Sequence, residues 1–164
     1  MRSIALLPAL LLALLLATPG AASPPGAKAV TVSAGDTLEL RTGSTAEATV
    51  HVSVESGYHV QSNPPSAGYL IATLLKLGRI PGVQAGKVKY PKGAPYKLEG
   101  SDEVLSTYSG SFDLSVPVRV SRAARPGGGQ LKGTLRFQAC DEHACYAPVT
   151  VPVSIPVRVV KAGR

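Results

Sequence analysis

The stretch from Val149 to Val160 alternates apolar and polar side chains, and this alternation limits the folds available to the chain. Valine or isoleucine occupies the odd positions from 149 to 159, whereas threonine, proline, serine and arginine occupy the even positions between them. A period of two residues is typical of a β-strand with one buried face. Pro152 and Pro156 cannot donate backbone hydrogen bonds, so we expect this strand to lie at a sheet edge or to alternate the side on which it pairs.

The same period recurs elsewhere, and turn residues separate the segments that show it. It appears in Thr49–Val54 and Phe112–Val120. The glycines at 127 to 129 predict a hairpin loop that joins Val116–Ser121 to Gln130–Ala139. Further short strands are expected at Ala29–Val32, Thr37–Arg41, Tyr69–Leu75 and Lys87–Tyr90, and only Leu70–Leu77 competes as a helix. Many short strands with frequent turns predict an all-β, immunoglobulin-like β-sandwich.

The N-terminus has the features of a secretory signal peptide. Arg2 precedes an uncharged apolar run, Ile4–Ala17, and small residues follow at positions 20 to 22. As a helix this run would extend only about 21 Å, which is short of the ~30 Å hydrocarbon core of a bilayer. We therefore expect cleavage after Ala22 and a periplasmic or otherwise exported protein without stable membrane insertion. Residues 23–164 are expected to form one domain.

The chain is basic, with 17 Lys and Arg residues against 10 Asp and Glu, a net charge of +7. Five of the basic residues lie close together in sequence: Arg79, Lys87, Lys89, Lys92 and Lys97. Such a charge favours acidic partners or an anionic surface, although a solvated surface is the more common reason for it. Export and the lack of interleaved aromatic and basic residues argue against nucleic acid as a partner.

Both cysteines of the chain, Cys140 and Cys145, lie within six positions. A bond between them would close a six-residue loop and stabilise the fold by only about 2 kcal/mol on the chain-entropy expression. Asp141, Glu142 and His143 lie between the sulfurs, where carboxylates raise a thiol pKa and an imidazolium lowers it. The spacing is compatible both with a redox-active pair and with a structural disulfide.

A metal site is a third interpretation of the same segment. Cys140, His143 and Cys145 are ligands that suit Cu(I) or Zn. Their spacing matches neither a structural zinc site nor a haem attachment motif. A fourth ligand would have to come from His51 or His59, because the only methionine is the first residue. We therefore expect no metal or other cofactor.

Four short motifs occur along the chain in an order that carries a family resemblance. Leu135–Cys140, followed after four residues by Cys145–Val149, is the most specific of them. The others are Gly57–Pro65 with Tyr69–Thr73, then Lys87–Pro91, then Tyr108–Phe112. Together they resemble the N-terminal periplasmic domain of DsbD, the thiol:disulfide interchange protein. The resemblance extends roughly from Thr37 to Val160.

The resemblance implies thiol:disulfide exchange by an immunoglobulin-like sandwich. Cys145 would form mixed disulfides with partners, and Cys140 would resolve them. The implied reductant is a thioredoxin-like domain or a membrane electron-transfer protein, and the implied clients are periplasmic oxidoreductases. The chain would then be one component of a protein-disulfide reductase system. No membrane segment or thioredoxin-like domain follows within these 164 residues, so we expect the reductant to be a separate protein.

The family shields its cysteines with a cap loop, which corresponds here to residues 96 to 107. The candidates for residues that modulate the site are Tyr96 as an aromatic shield, Glu99, Asp102 and Glu103 as carboxylates, and Tyr58 and His143 as neighbours of the pair. In well-known members tyrosines stand at the positions of His59 and Gln61, and some members have five residues between the cysteines. The alternative to exchange is a non-catalytic immunoglobulin-like binding module with a structural disulfide.

Overall fold

Twelve β-strands and no helix make up residues 26–163, the part of the chain that the computed structural model describes. Within these residues nothing is helical, long and apolar enough to cross a membrane. The predicted signal peptide, residues 1–22, lies outside them. The strands are β1 (Val30–Ser33), β2 (Leu38–Arg41), β3 (Thr45–Val54), β4 (His59–Gln61), β5 (Leu74–Leu77), β6 (Val83–Ala85), β7 (Ala94–Lys97), β8 (Val104–Tyr108), β9 (Ser111–Val120), β10 (Gly127–Phe137), β11 (Ala139–Cys140) and β12 (Val149–Val160).

Two four-stranded sheets form a β-sandwich, as the alternation of side chains predicts. One has the order β1-β3-β9-β6 and the other the order β2-β12-β10-β5. Each strand turns its alternate valine, leucine or phenylalanine side chains towards the other sheet, because successive residues of a strand point to opposite faces. The buried core includes Val50, Val52, Leu114, Val116 and Val118 from the first sheet and Leu40, Leu131, Leu135, Phe137, Ile155 and Val157 from the second. The fold is an immunoglobulin-like sandwich.

The two prolines of β12 lie where the strand is paired on one side only. β12 pairs with β10 from Val149 to Val159, but β2 pairs only with Val157–Val160. Pro152 and Pro156 precede that segment, so a backbone donor is not needed on their open side. β12 is therefore an interior strand at its C-terminal end and an edge strand before it.

The predicted hairpin between β9 and β10 is wrong. β9 pairs with β3 and β6, whereas β10 pairs with β12 and β5 in the other sheet. Gly127–Gly129 are not a loop, because they form the first part of β10 opposite Val157–Val159. Both sides of β9 are already occupied, and residues 121–126 cross from one sheet to the other.

Two other segments differ from the sequence prediction. β5 begins at Leu74 and not at Tyr69, and Leu70–Leu77 contains no helix. Lys87–Tyr90 contributes a single bridge, between Lys89 and Ser115, and no regular strand.

A third sheet, of order β11-β4-β8-β7, extends from one end of the sandwich and positions the cysteines. β4 follows β3 after a short turn, β8 leads into β9, and β11 follows β10 after one residue. Gly57 and Gly110 lie in the first two of these connections with φ of 83° and 60°, a conformation that glycine adopts without strain. β7 and β8 form a hairpin, Ala94–Tyr108, which we call the cap hairpin.

Candidate functional site

The two cysteines close a tight turn at the end of β11. Cys140 and Cys145 face each other across an isolated antiparallel bridge and form a disulfide, with their Cα atoms 3.9 Å apart. Beside them the backbone N–H of Tyr146 donates to the carbonyl of Ala139 at 2.8 Å. The disulfide therefore joins two adjacent segments that the backbone already holds together.

The side chain of Asp141 holds this turn in place. One of its carboxylate oxygens, Oδ1, accepts hydrogen bonds from the backbone N–H groups of His143 and Ala144, each at 2.9 Å. The other, Oδ2, accepts from the hydroxyl of Tyr146. The bond from Tyr146, followed by the two backbone donors, lowers the pKa of Asp141 to about 2. The same hydroxyl bond raises the pKa of Tyr146 to about 12.

We expect Asp141→Asn to lower the free energy of unfolding at neutral pH, because it removes hydrogen bonds to a charged acceptor. The pKa of this carboxyl in the folded protein is about 2 against an ordinary 3.8. Its contribution is therefore fully present above pH 3.8 and is lost as the pH falls towards 2. Denaturant unfolding of both proteins, from neutral pH downwards, should show the difference in their free energies of unfolding shrinking over that pH interval. A difference in free energy of unfolding that does not change with pH contradicts this prediction. The control is Asp36→Asn, at an exposed carboxylate outside the turn.

The two cysteines differ in exposure, and one buried amide contacts both sulfurs. Cys140 is 0% exposed, whereas Cys145 is only partly buried. Gln61 of β4 is also 0% exposed, and its Nε2 lies 3.2 Å from Sγ of Cys140 and 3.7 Å from Sγ of Cys145. The sulfur of Cys140 therefore has the shorter hydrogen bond, and Cys145 is the more accessible cysteine.

An aromatic stack lies beside the disulfide. The rings of His59 and Tyr96 are stacked with centroids 3.6 Å apart, and Tyr96 donates from its hydroxyl to the carbonyl of Asp141 at 3.1 Å. Tyr96 also packs against an apolar cluster that contains both cysteines, together with Leu70, Leu98, Leu105 and Ala67. Burial lowers the pKa of His59, and no partner for its buried Nδ1 lies among residues 26–163. Burial, then the nearby charges of Asp141 and Glu142, raise the pKa of Tyr96.

The tip of the cap hairpin contacts the cysteine turn directly. The backbone N–H of Glu99 donates to the carbonyl of Glu142 at 2.8 Å. The Glu99 carboxylate also lies 3.3 Å from Nδ1 of His143. The hairpin pairs with β4 through only two residue pairs, Val60–Tyr108 and Gln61–Thr107. Ser62, directly after β4, adds one backbone hydrogen bond to the carbonyl of Ser106, and the tip of the hairpin contacts the cysteine turn without a ladder to β4.

The predicted site residues fall into two groups in the structure. Tyr96, Glu99 and His143 contact the cysteine turn or the apolar cluster around it. Tyr58 belongs with them, because its ring lies 6.3 Å from that of Tyr146, whose hydroxyl bonds to Asp141 in the turn. Two others make contacts elsewhere: Asp102 lies 3.5 Å from Lys97, and Glu103 accepts from the hydroxyl of Tyr69.

Gln61 was not among the predicted site residues, although its amide contacts both sulfurs. It stands at one of the two positions where the sequence departs from the tyrosines of well-known family members. That departure was the only signal in the sequence that pointed to it.

The metal interpretation named Cys140, His143 and Cys145 as ligands. Both sulfurs are joined to each other in the disulfide. No group of three or more His, Cys, Asp and Glu side chains in residues 26–163 is arranged to hold a metal ion.

Similarity to known proteins agrees with this geometry. A β-sandwich whose third sheet carries a disulfide under a β-hairpin defines a class: an immunoglobulin-like domain with a shielded cysteine pair. A sequence model of the family described as "Thiol:disulfide interchange protein DsbD, N-terminal" matches residues 27–155. The chain belongs to this family.

Solved structures with similar folds share little sequence with the chain. The N-terminal periplasmic domain of ScsB from Proteus mirabilis is 12% identical with a TM-score of 0.51, and the match covers 80% of this chain and 48% of that one. A PapD-like domain of human CEP192 is 9% identical (TM-score 0.36, 91% and 97% covered), and the pilin subunit BcpA of Bacillus cereus is 11% identical (TM-score 0.36, 79% and 40% covered). No curated protein sequence matches the chain closely enough to count as a relative.

Proposed function

We propose that this domain exchanges disulfides with other exported proteins through Cys140 and Cys145. The observation that carries the proposal is the unequal exposure of the pair, since Cys140 is completely buried and Cys145 is partly exposed. A partner's sulfur has to approach the attacking thiolate, so the accessible Cys145 is the residue that forms mixed disulfides. Cys140, bonded to it across the turn, is the residue that resolves them.

The exchange balances as a transfer of two electrons. The thiolate of reduced Cys145 attacks one sulfur of a client disulfide, which forms a mixed disulfide and releases the other client sulfur as a thiolate. The thiolate of Cys140 then attacks the sulfur of Cys145, which restores the Cys140–Cys145 disulfide and releases the second client thiolate. The client is reduced and the domain oxidised. A thioredoxin-like dithiol reverses the change on the domain by the same two steps.

Family membership supports the choice of partners. We propose a thioredoxin-like domain, or a membrane protein that bears one, as the reductant and periplasmic oxidoreductases as the clients. Cleavage of the signal peptide after Ala22 would deliver the domain to that compartment.

The test measures the redox equilibrium of the pair and its covalent partners. Equilibrated with glutathione, the pair should show a reduction potential between those of thioredoxin and the strong oxidants, roughly −270 to −120 mV. A thioredoxin-like protein that lacks its resolving cysteine should form an adduct that peptide mapping assigns to Cys145. A potential below about −300 mV without an adduct would instead identify a structural disulfide in a binding module.

The cap hairpin is expected to slow small reductants. We expect Tyr96→Ala to raise the rate at which dithiothreitol reduces the disulfide by about tenfold, because it removes a ring from the apolar cluster around the cysteines. Thiol release followed over time measures this rate. Val104→Ala is the control, since Val104 lies on the same hairpin, is 53% exposed and is not part of the apolar cluster around the cysteines. Equal rates in all three proteins would show that the ring does not shield the pair.

A further inference from the structure

The backbone around Gln61 fixes where its side chain can lie. Its N–H donates to the carbonyl of Gln138 at 3.1 Å, and its carbonyl accepts from both the N–H and the hydroxyl of Thr73, at 3.1 and 2.6 Å. The residue is also paired with Thr107 of the cap hairpin. Its completely buried amide is therefore held against the sulfurs by three different segments of the chain.

The amide of Gln61 is only half satisfied while the disulfide is intact. Its Nε2 donates to the sulfurs, at 3.2 Å from Cys140 and 3.7 Å from Cys145. No donor among residues 26–163 reaches its buried Oε1. A nearby glutamine shows the contrast: the amide of Gln138 accepts from the N–H of Ile71 and donates to the carbonyl of Tyr146. A buried acceptor without a donor is energetically costly.

Reduction of the pair supplies what this amide lacks. A disulfide carries no hydrogen and its sulfurs are weak acceptors, whereas a thiol can donate its S–H and a thiolate is a stronger acceptor. In the dithiol state the S–H of Cys140 can therefore satisfy Oε1 of Gln61, and a thiolate there would bind Nε2 more strongly. Both effects stabilise the reduced state relative to the oxidised state.

We propose that Gln61 sets the redox equilibrium of the Cys140–Cys145 pair by favouring the dithiol over the disulfide. Its significance rests on the exchange function proposed above, in which the pair must be reduced to act on a client. The effect itself is a property of the isolated domain.

The experiment is an equilibrium with glutathione, without a protein partner. Two glutathione molecules are oxidised to glutathione disulfide while the Cys140–Cys145 bond takes up two electrons and two protons to give two thiols. For Gln61→Leu we expect the constant of this reaction to fall about tenfold, which corresponds to a potential about 30 mV more negative. Gln61→Met, an unbranched side chain without an amide, should show the same shift. Gln138→Leu, which removes a satisfied amide that does not contact sulfur, should stay within about twofold of the original protein.

Each other outcome overturns the proposal. Unchanged constants in both Gln61 variants, or constants shifted in favour of the dithiol, mean that the amide does not favour reduction. An equal shift in Gln138→Leu means that the cause is packing and not the contact with sulfur. If neither Gln61 variant folds, the side-chain amide signals of the original protein decide by NMR: reduction should move those of Gln61 and leave those of Gln138 in place, and the absence of a difference overturns the proposal.

This result is separable from the fate of the proposed function. A Gln61 effect in glutathione with no adduct to a thioredoxin-like protein would leave the inference standing and refute the exchange function. Adduct formation without a Gln61 effect would support the exchange function and refute the inference about Gln61.

Discussion

Replacement of Cys145 by serine is expected to reduce disulfide exchange with a thioredoxin-like partner to background, a loss of more than about a thousandfold. A serine hydroxyl cannot replace a thiolate as the attacking group at neutral pH. Cys140→Ser should behave differently, because the accessible Cys145 remains able to attack. That variant should stop at a stable mixed disulfide, detected as an adduct by mass spectrometry and released by a reducing agent.

The two serine variants are controls for each other. Both remove the same bridge, which is worth about 2 kcal/mol on the chain-entropy expression, and Cys140→Ser should lose more than Cys145→Ser because its hydroxyl would be buried. Any difference in exchange between them therefore reports the position of the remaining thiol and not the loss of the disulfide. Adducts of equal yield at both positions would contradict the assigned roles, and large equal destabilisation with no adduct at either would support a structural disulfide.

Phe137→Ala is expected to produce the largest loss of stability, about 3–5 kcal/mol in the free energy of unfolding. Phe137 is 0% exposed at the end of β10, opposite Val149 of β12, and it belongs to the core between the two sheets. Its removal leaves a cavity in addition to the lost transfer free energy. Urea unfolding of the oxidised protein measures the change.

The chain contains one other phenylalanine, which provides a matched control. Phe112 is only partly buried, and its ring packs against Tyr108 with centroids 4.4 Å apart. We expect Phe112→Ala to cost about 1–2 kcal/mol, because less apolar surface is involved. Similar losses for both variants would show that the core around Phe137 relaxes to fill the space.

The sandwich could be predicted because apolar and polar side chains alternate along each strand, and this pattern can be seen in a short stretch of sequence. The valines of β3, β9 and β12 could only be buried together if each strand turned one face inwards. The crossing between β9 and β10 was not predictable in this way. Three successive glycines are common in turns. The sequence does not show that β9 pairs on both sides with other strands, one of which is β3 from much earlier in the chain.

Only part of the site could be predicted from the sequence. The cysteine pair belongs to a recognisable motif, whereas the roles of Tyr96, Asp102 and Glu103 depended on how a loop is aligned. In the structure the tip of that loop brings Glu99 to the cysteine turn and directs Asp102 towards Lys97. Gln61 contacts the sulfurs through tertiary packing alone, since 79 positions separate it from Cys140.

The hydrogen bonds of Asp141 have a consequence for the proposed disulfide exchange. Its carboxylate and the backbone bonds beside it close the cysteine turn independently of the sulfurs. Reduction of the S–S bond should therefore add little conformational freedom to the turn in the folded protein, because these hydrogen bonds keep it closed. If the pair exchanges disulfides as proposed, little geometrical rearrangement would accompany each cycle, and the atoms around the two sulfurs would decide the redox equilibrium.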